Sequence, residues 1–159
     1  MKKILIAAAI SAAFAAMPAA AQGYVGIGAG VANTDANHTS YKAFAGIQAN
    51  QNVGVEIAYN DFGNYRGAWA ESWSVAGVGT LPLNETWDVI GKLGVTSNHA
   101  NFAGSSRHSD ILVGLGVAYN FAPNMAVRLE YEDFGNLPAA INGVISKANN
   151  LGLNLKYSF

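Results

Sequence analysis

Asn149-Asn150-Leu151-Gly152-Leu153-Asn154-Leu155-Lys156-Tyr157-Ser158-Phe159 alternates without a break up to its last residue. One face reads Leu151, Leu153, Leu155, Tyr157, Phe159; the other reads Asn150, Gly152, Asn154, Lys156, Ser158. A period of two is the signature of a strand, because successive side chains leave opposite faces. In a soluble sandwich the outer face would be polar and the core face apolar. Here one face is wholly apolar and the lysine shares the glycine-bearing face. That suits the wall of a membrane barrel, with lipid outside and a polar lumen inside.

Seven more segments of the same kind precede it. The eight fall at about 23–33, 39–49, 52–62, 70–81, 85–97, 108–121, 124–135 and 146–159, each matching the roughly 9–11 residues that a tilted strand needs to cross a bilayer. Connections alternate in character. Ala49-Asn50-Gln51-Asn52, Leu81-Pro82-Leu83-Asn84 and Phe121-Ala122-Pro123-Asn124 read as tight turns. The stretches near 33–39, 61–69, 97–108 and 135–146 read as longer, polar or glycine-rich loops. Short turns on one side and longer loops on the other is the outer-membrane pattern. The predicted fold is all-β: an eight-stranded antiparallel up-and-down transmembrane β-barrel, with both ends on the short-turn, periplasmic side.

Composition agrees. The chain is 51% hydrophobic and only 12% charged, low in charge for a soluble domain. Lys2-Lys3, the apolar run Ile4 to Ala16, Pro18 and Ala19-Ala20-Ala21 read as a secretory signal peptide, residues 1–21, cleaved after Ala21. Residues 22–159 then form one outer-membrane barrel domain. Removing Lys2 and Lys3 from nine basic residues leaves seven against ten acidic, a net charge of −3; nothing points to nucleic acid. There is no cysteine, so no disulfide framework, and barrel closure within a bilayer must supply the stability instead.

The outward faces follow from the alternation, for example Val53, Val55, Ile57 and Tyr59, or Ile111, Val113, Leu115, Val117, Tyr119 and Phe121. Aromatic residues gather near strand ends: Trp87, Tyr119, Phe121, Tyr157 and Phe159 below, and Tyr59, Phe62, Trp69, Trp73, Tyr131 and Phe134 above. Amphipathic rings favour the headgroup zones, so these read as two girdles. Gly26, Gly28 and Gly30 share one face of the first strand, which reads as room for long charged side chains in the lumen.

A ten-residue repeat stands out. Val55-Glu56-Ile57-Ala58-Tyr59-Asn60-Asp61-Phe62-Gly63-Asn64 recurs as Val127-Arg128-Leu129-Glu130-Tyr131-Glu132-Asp133-Phe134-Gly135-Asn136. The offset is four strands, which puts the two copies on opposite walls. Asp-Phe-Gly reads as a strand end, an interfacial aromatic and a turn glycine. Glu56 and Arg128 occupy equivalent inward places with opposite charge, and Lys42, Lys92 and Glu130 face inward at similar height. An eight-stranded barrel is just wide enough for side chains to fill, and buried charges must be paired to be tolerated. The expectation is a salt-bridged lumen plug rather than an ion path.

These residues resemble the transmembrane domain of the outer membrane protein A family (OmpA-like) and its smaller opacity-type relatives. The most specific pieces are Gly46-Ile47-Gln48-Ala49-Asn50, Val53-Gly54-Val55-Glu56-Ile57-Ala58-Tyr59, Ala122-Pro123-Asn124-Met125-Ala126-Val127-Arg128-Leu129-Glu130-Tyr131, and Leu151 to Phe159. The resemblance implies an eight-stranded barrel whose interior network carries over onto Glu56, Lys92, Arg128 and Glu130. It departs at Val78 and Ala118, which stand where the family often has a lysine and a glutamate, so a gate that exchanges ion-pair partners is not implied. The sequence stops at strand eight, so no peptidoglycan-binding domain is expected. The terminal aromatic strand resembles the sorting signal of outer-membrane proteins, with Tyr157 and Phe159 as the assembly signal. The implied surroundings are outer-membrane lipids and lipopolysaccharide, and the implied partners are the barrel assembly machinery and periplasmic chaperones.

The leading functional reading is a structural outer-membrane protein with a filled lumen and at most minor conductance. A small-barrel enzyme of the lipid A deacylase kind, or a surface adhesin, is the alternative. His108-Ser109-Asp110 invites a catalytic reading, but neighbours on a strand point to opposite faces, so Ser109 cannot share a site with the other two. No catalytic residue, cofactor or metal site is assigned; His99, His108 and Asp110 lack diagnostic metal-ligand spacing and read, with His38, as solvated loop residues. Tyr65, Arg66 and Trp69 on the second long loop are of types enriched at interfaces, and equally of types found in a membrane girdle.

Overall fold

The computed structural model describes residues 22–33, 37–65, 68–101, 105–137 and 146–159. The signal peptide expected at 1–21 lies outside them. Eight strands follow one another: β1 (Gln22–Asn33), β2 (Asn37–Gln48), β3 (Val53–Tyr65), β4 (Ala68–Pro82), β5 (Trp87–Asn101), β6 (Ser105–Ala122), β7 (Met125–Leu137) and β8 (Ser146–Ser158). Each pairs antiparallel with the next, and β8 returns to β1 from Tyr24↔Ser158 to Asn33↔Asn149, closing the barrel. Closure leaves no unpaired sheet edge, the condition for crossing a bilayer with strands.

The alternation sets which way the wall faces. Ile27, Leu93 and Leu115 on the outside are about two-thirds exposed (67%, 66% and 66%), whereas Glu56, Arg128 and Glu130 on the inside are buried. Burial is inverted relative to a soluble protein because lipid covers the apolar face. Trp87, Tyr119, Phe121, Tyr157 and Phe159 are exposed around the short-turn end, with the Trp87 and Tyr119 rings in tilted contact at a centroid distance of 4.9 Å. Trp73, Tyr41 and Tyr131 are exposed toward the other end, and the Tyr59 and Trp73 rings meet at a tilt with centroids 5.0 Å apart. The backbone of Trp69 belongs to β4; its side chain, with those of Tyr65 and Arg66, lies outside the described residues.

Four expectations need correction. Phe62 and Phe134 are not girdle residues. Both are buried inside the barrel, edge to face with centroids 5.3 Å apart. The same parity that turns Glu56 and Arg128 inward turns these rings inward. Asp-Phe-Gly is a bulge rather than a turn: pairing shifts between Asp61 and Asn64 and between Asp133 and Asn136. Gly63 and Gly135 take φ of +78° and +70°, and each donates its N–H to the aspartate two residues earlier at 2.8 Å. A left-handed residue at a bulge is where glycine is least strained.

The connections also differ from expectation. The second turn occupies 83–86, two residues beyond its expected place, because Asn84 Oδ1 accepts from the amides of Thr86 (2.9 Å) and Trp87 (2.8 Å). Asn50 caps the first turn in the same way, toward Asn52 and Val53. The loop expected at 97–108 is mostly strand: β5 and β6 stay paired out to Asn101↔Ser105. An 18-residue β6 reaches about 60 Å at ~3.4 Å per residue, more than a tilted strand needs for ~30 Å of hydrocarbon, so this hairpin stands clear of the membrane. Finally, the β1 glycines do not make room for charges. A Cβ on Gly26 would strike the Phe44 ring, and on Gly28 or Gly30 the amides of Asn154 or Asn150.

Candidate functional site in the barrel lumen

The lumen is stacked in layers. At the long-loop end Ala32, Phe62, Ala76, Leu112, Phe134 and Ala148 form an apolar cap, all buried. Beside it is a polar belt in which Ser72 and Thr96 share a short hydrogen bond, Thr96 donates to Asn98 (3.1 Å), and Asn98 donates to the Phe134 carbonyl (3.0 Å). Ser40 donates to Asn150 at 2.6 Å.

Next comes a cluster of six charges, three of each sign. Glu56 Oε2 accepts from Arg128 Nη1 at 3.0 Å, and Glu56 Oε1 from Lys92 Nζ at 2.7 Å. Lys42 Nζ donates to Glu130 at 3.0 Å and to Glu132 at 2.6 Å. Lys92 also lies 2.9 Å from Glu130 and 3.2 Å from Glu132. All five charged residues expected in the lumen are therefore in one network: Lys42 from β2, Glu56 from β3, Lys92 from β5, Arg128 and Glu130 from β7. The sixth, Glu132, was not anticipated, although the parity that places Arg128 and Glu130 inside places it there too.

The network is braced by neutral groups. Tyr24 donates its hydroxyl to Glu56 (3.1 Å), and Asn154 donates to Glu130 (2.9 Å). The Phe44 ring sits among the cations, 5.4 Å from Lys42 Nζ and 5.5 Å from Arg128 Cζ. A quadrupole's negative face favours such neighbours. Gly116 leaves space for Glu130, whose Cγ would lie 3.0 Å from an added Cβ. Ion pairs of this depth lose much hydration, and are tolerated only when every charge finds partners; equal numbers and shared contacts meet that condition. Below the cluster, Val78, Ile90 and Ala118 form a small apolar group, so the two positions that depart from the family pattern pack together as hydrocarbon.

The described residues of the histidine region do not assemble a centre. Ser109 is exposed, whereas Asp110 is half-buried with its Oδ1 accepting from the Ile111 amide at 2.8 Å. His99 occupies an outward place on β5, and the His108 side chain lies outside the described residues. Among the described residues no three His, Asp or Glu side chains come together at metal-binding range.

Residues 18–159 match the family described as the OmpA-like transmembrane domain. Over 146 residues the chain is 29% identical to Outer membrane protein A of Shigella flexneri, an alignment covering 79% of this chain and 42% of that protein. The chain thus spans about two-fifths of that relative's length, given the 42% coverage. Among solved structures, the N-terminal β-barrel domain of Pseudomonas aeruginosa OprF is similar with a TM-score of 0.64 at 14% identity, covering 87% of this chain and 99% of that one. The outer membrane enzyme PagL gives 0.59 at 12% identity, covering 84% and 98%. At these identities the likeness is one of fold.

Proposed function

This chain belongs to the OmpA-like transmembrane domain family, resides in the outer membrane, and, we propose, acts there as a structural barrel with a lumen filled by its own side chains. The observation that carries this reading is the layered interior. The Phe62–Phe134 cap lies above a charge-balanced cluster of six. An apolar constriction resists wetting, and each of the six charges already lies within ion-pair distance of at least one opposite charge. Among small barrels of this fold, PagL is an enzyme. We further propose that residues 1–21 are removed on export. Tyr157 and Phe159, both exposed at the short-turn end, would then present the terminal aromatic strand to the assembly machinery.

Refolded protein in a planar bilayer tests the reading. Expected outcomes are little or no single-channel conductance, slower or faster gel migration before boiling than after, and unchanged lipid A masses on incubation with lipopolysaccharide. Steady large conductance, or loss of an acyl chain from lipid A, would overturn it. Deleting Phe159 should lower membrane insertion in cells more than refolding in detergent; equal losses would reject the recognition role.

A further inference from the structure

The short-turn mouth of the barrel, which faces the periplasm in an outer-membrane protein, holds a cavity of about 340 Å³. Arg128 lies at its inner end. Nη1 of this guanidinium is tied to Glu56, but the buried Nε has no hydrogen-bond partner. Lys156 lines the same cavity from β8. Its Nζ lies 5.0 Å from the Tyr24 ring centroid, and it pairs with no carboxylate among the described residues. From β5, across the mouth and separated by β6 and β7, Asp88 also lines it, held in place by a 2.8 Å hydrogen bond from Asn120 Nδ2 to its Oδ2. Ile90 and Ala118 supply an apolar wall between the two poles.

A concave site of this size, partly apolar and with a few convergent polar groups, is the usual form of a small-molecule pocket. Its charges choose the ligand. Lys156 and Asp88 stand three strands apart around the mouth and form no ion pair, so a ligand of a single sign meets one attractive and one repulsive pole. A molecule carrying both signs meets two attractive ones. We propose that this mouth binds a short zwitterion of the amino-acid or dipeptide type. Its carboxylate lies on Lys156 Nζ at the Arg128 end of the cavity, its ammonium group lies on Asp88, and its side chain lies against Ile90 and Ala118. This goes beyond the structural role: the plug above the cavity need not open for a periplasmic solute to enter from below.

The test is a titration of the full refolded chain, ¹⁵N-labelled in lipid nanodiscs, with alanyl-alanine. Saturable shifts of the Asp88, Asn120 and Ser158 amides are expected. N-acetyl-alanyl-alanine and alanyl-alanine amide, each lacking one charge, should bind at least about tenfold more weakly, since each forfeits a hydrogen bond to a charged group. Lys156→Gln and Asp88→Asn should weaken binding of the free dipeptide by a similar factor while leaving heat-shifted gel migration unchanged. Absence of saturable shifts, equal binding of the capped dipeptides, or equally tight binding of acetate would each overturn the proposal. None of these failures touches the barrel reading, which gel migration and conductance report separately.

Discussion

The two copies of the internal repeat share one set of residues and differ in another, and the two sets do different work. Shared Asp61/Asp133, Phe62/Phe134 and Gly63/Gly135 build the same bulge on opposite walls and send two rings inward to meet at 5.3 Å. The differing inward residues lie below: Glu56 against Arg128, Ala58 against Glu130, Asn60 against Glu132. Identity is kept where the backbone must repeat a shape. Difference appears where one wall must complement the other, because like charges at equivalent places would face each other in a narrow lumen.

If the cap depends on both copies, either ring should be indispensable. Phe134→Ala and Phe62→Ala should each lower stability by about 3–5 kcal/mol, the usual range for a buried aromatic, measured by urea unfolding in lipid vesicles. Each should also raise conductance, since the apolar constriction is lost. A large effect at only one of the two positions would break the symmetry argued here.

Complementarity is tested lower down. Stranding one partner of a buried pair typically costs about 3–5 kcal/mol. Here Lys92 also holds Glu56, at 2.7 Å, and Glu130 lies 3.6 Å from Arg128. Arg128→Ala and Glu56→Ala should therefore each cost less, about 2–3 kcal/mol. The double variant should lose less than the sum. Strict additivity in that cycle would show that the pair does not interact.

Much of this was legible in the chain. Alternation alone identifies eight strands, their lipid faces and five of six lumen charges. It also contains Phe62, Phe134 and Glu132, whose parity matches Glu56 and Arg128. Nearness to a strand end suggests the interface for the two rings, but parity decides, and parity alone also turns the third carboxylate inward. Tyr24 and Phe44 inside the lumen run against the rule that aromatics seek the interface, and only the space beside Gly46 and Gly26 shows where they fit. The outer part of the β5–β6 hairpin carries no apolar face, so periodicity cannot mark it. The second turn was misplaced because Pro82 drew the boundary, whereas the side chain of Asn84 sets it.

The glycines sharpen the comparison at a smaller scale. An alanine in the left-handed region costs roughly 1–2 kcal/mol, so Gly63→Ala and Gly135→Ala both lose at least that. Surroundings then separate them. A Cβ at Gly63 meets only the Thr39 carbonyl at 3.4 Å, whereas at Gly135 it meets the Asp110 carboxylate. Gly135→Ala should be the more damaging, by about 1 kcal/mol of added crowding, unless Asp110→Ala is introduced with it. Failure of that second change to narrow the gap would remove Asp110 from the account.

The smallest effect is expected at Asn60, the position where the copies diverge most in what they touch. Its counterpart Glu132 accepts from Lys42 at 2.6 Å and Lys92 at 3.2 Å. Asn60 is equally buried, yet neither atom of its amide bonds to another protein group. Truncating a side chain loses packing, but an amide without a protein partner carries a desolvation penalty of ~1–3 kcal/mol that truncation relieves. The two should nearly cancel, leaving Asn60→Ala within about 1 kcal/mol of the parent, while Glu132→Ala strands two lysines and loses more. If instead Asn60→Ala proves the more destabilising, the differing residues are not apportioned as argued, and the polar belt, rather than the ion cluster, would be where the two walls are joined.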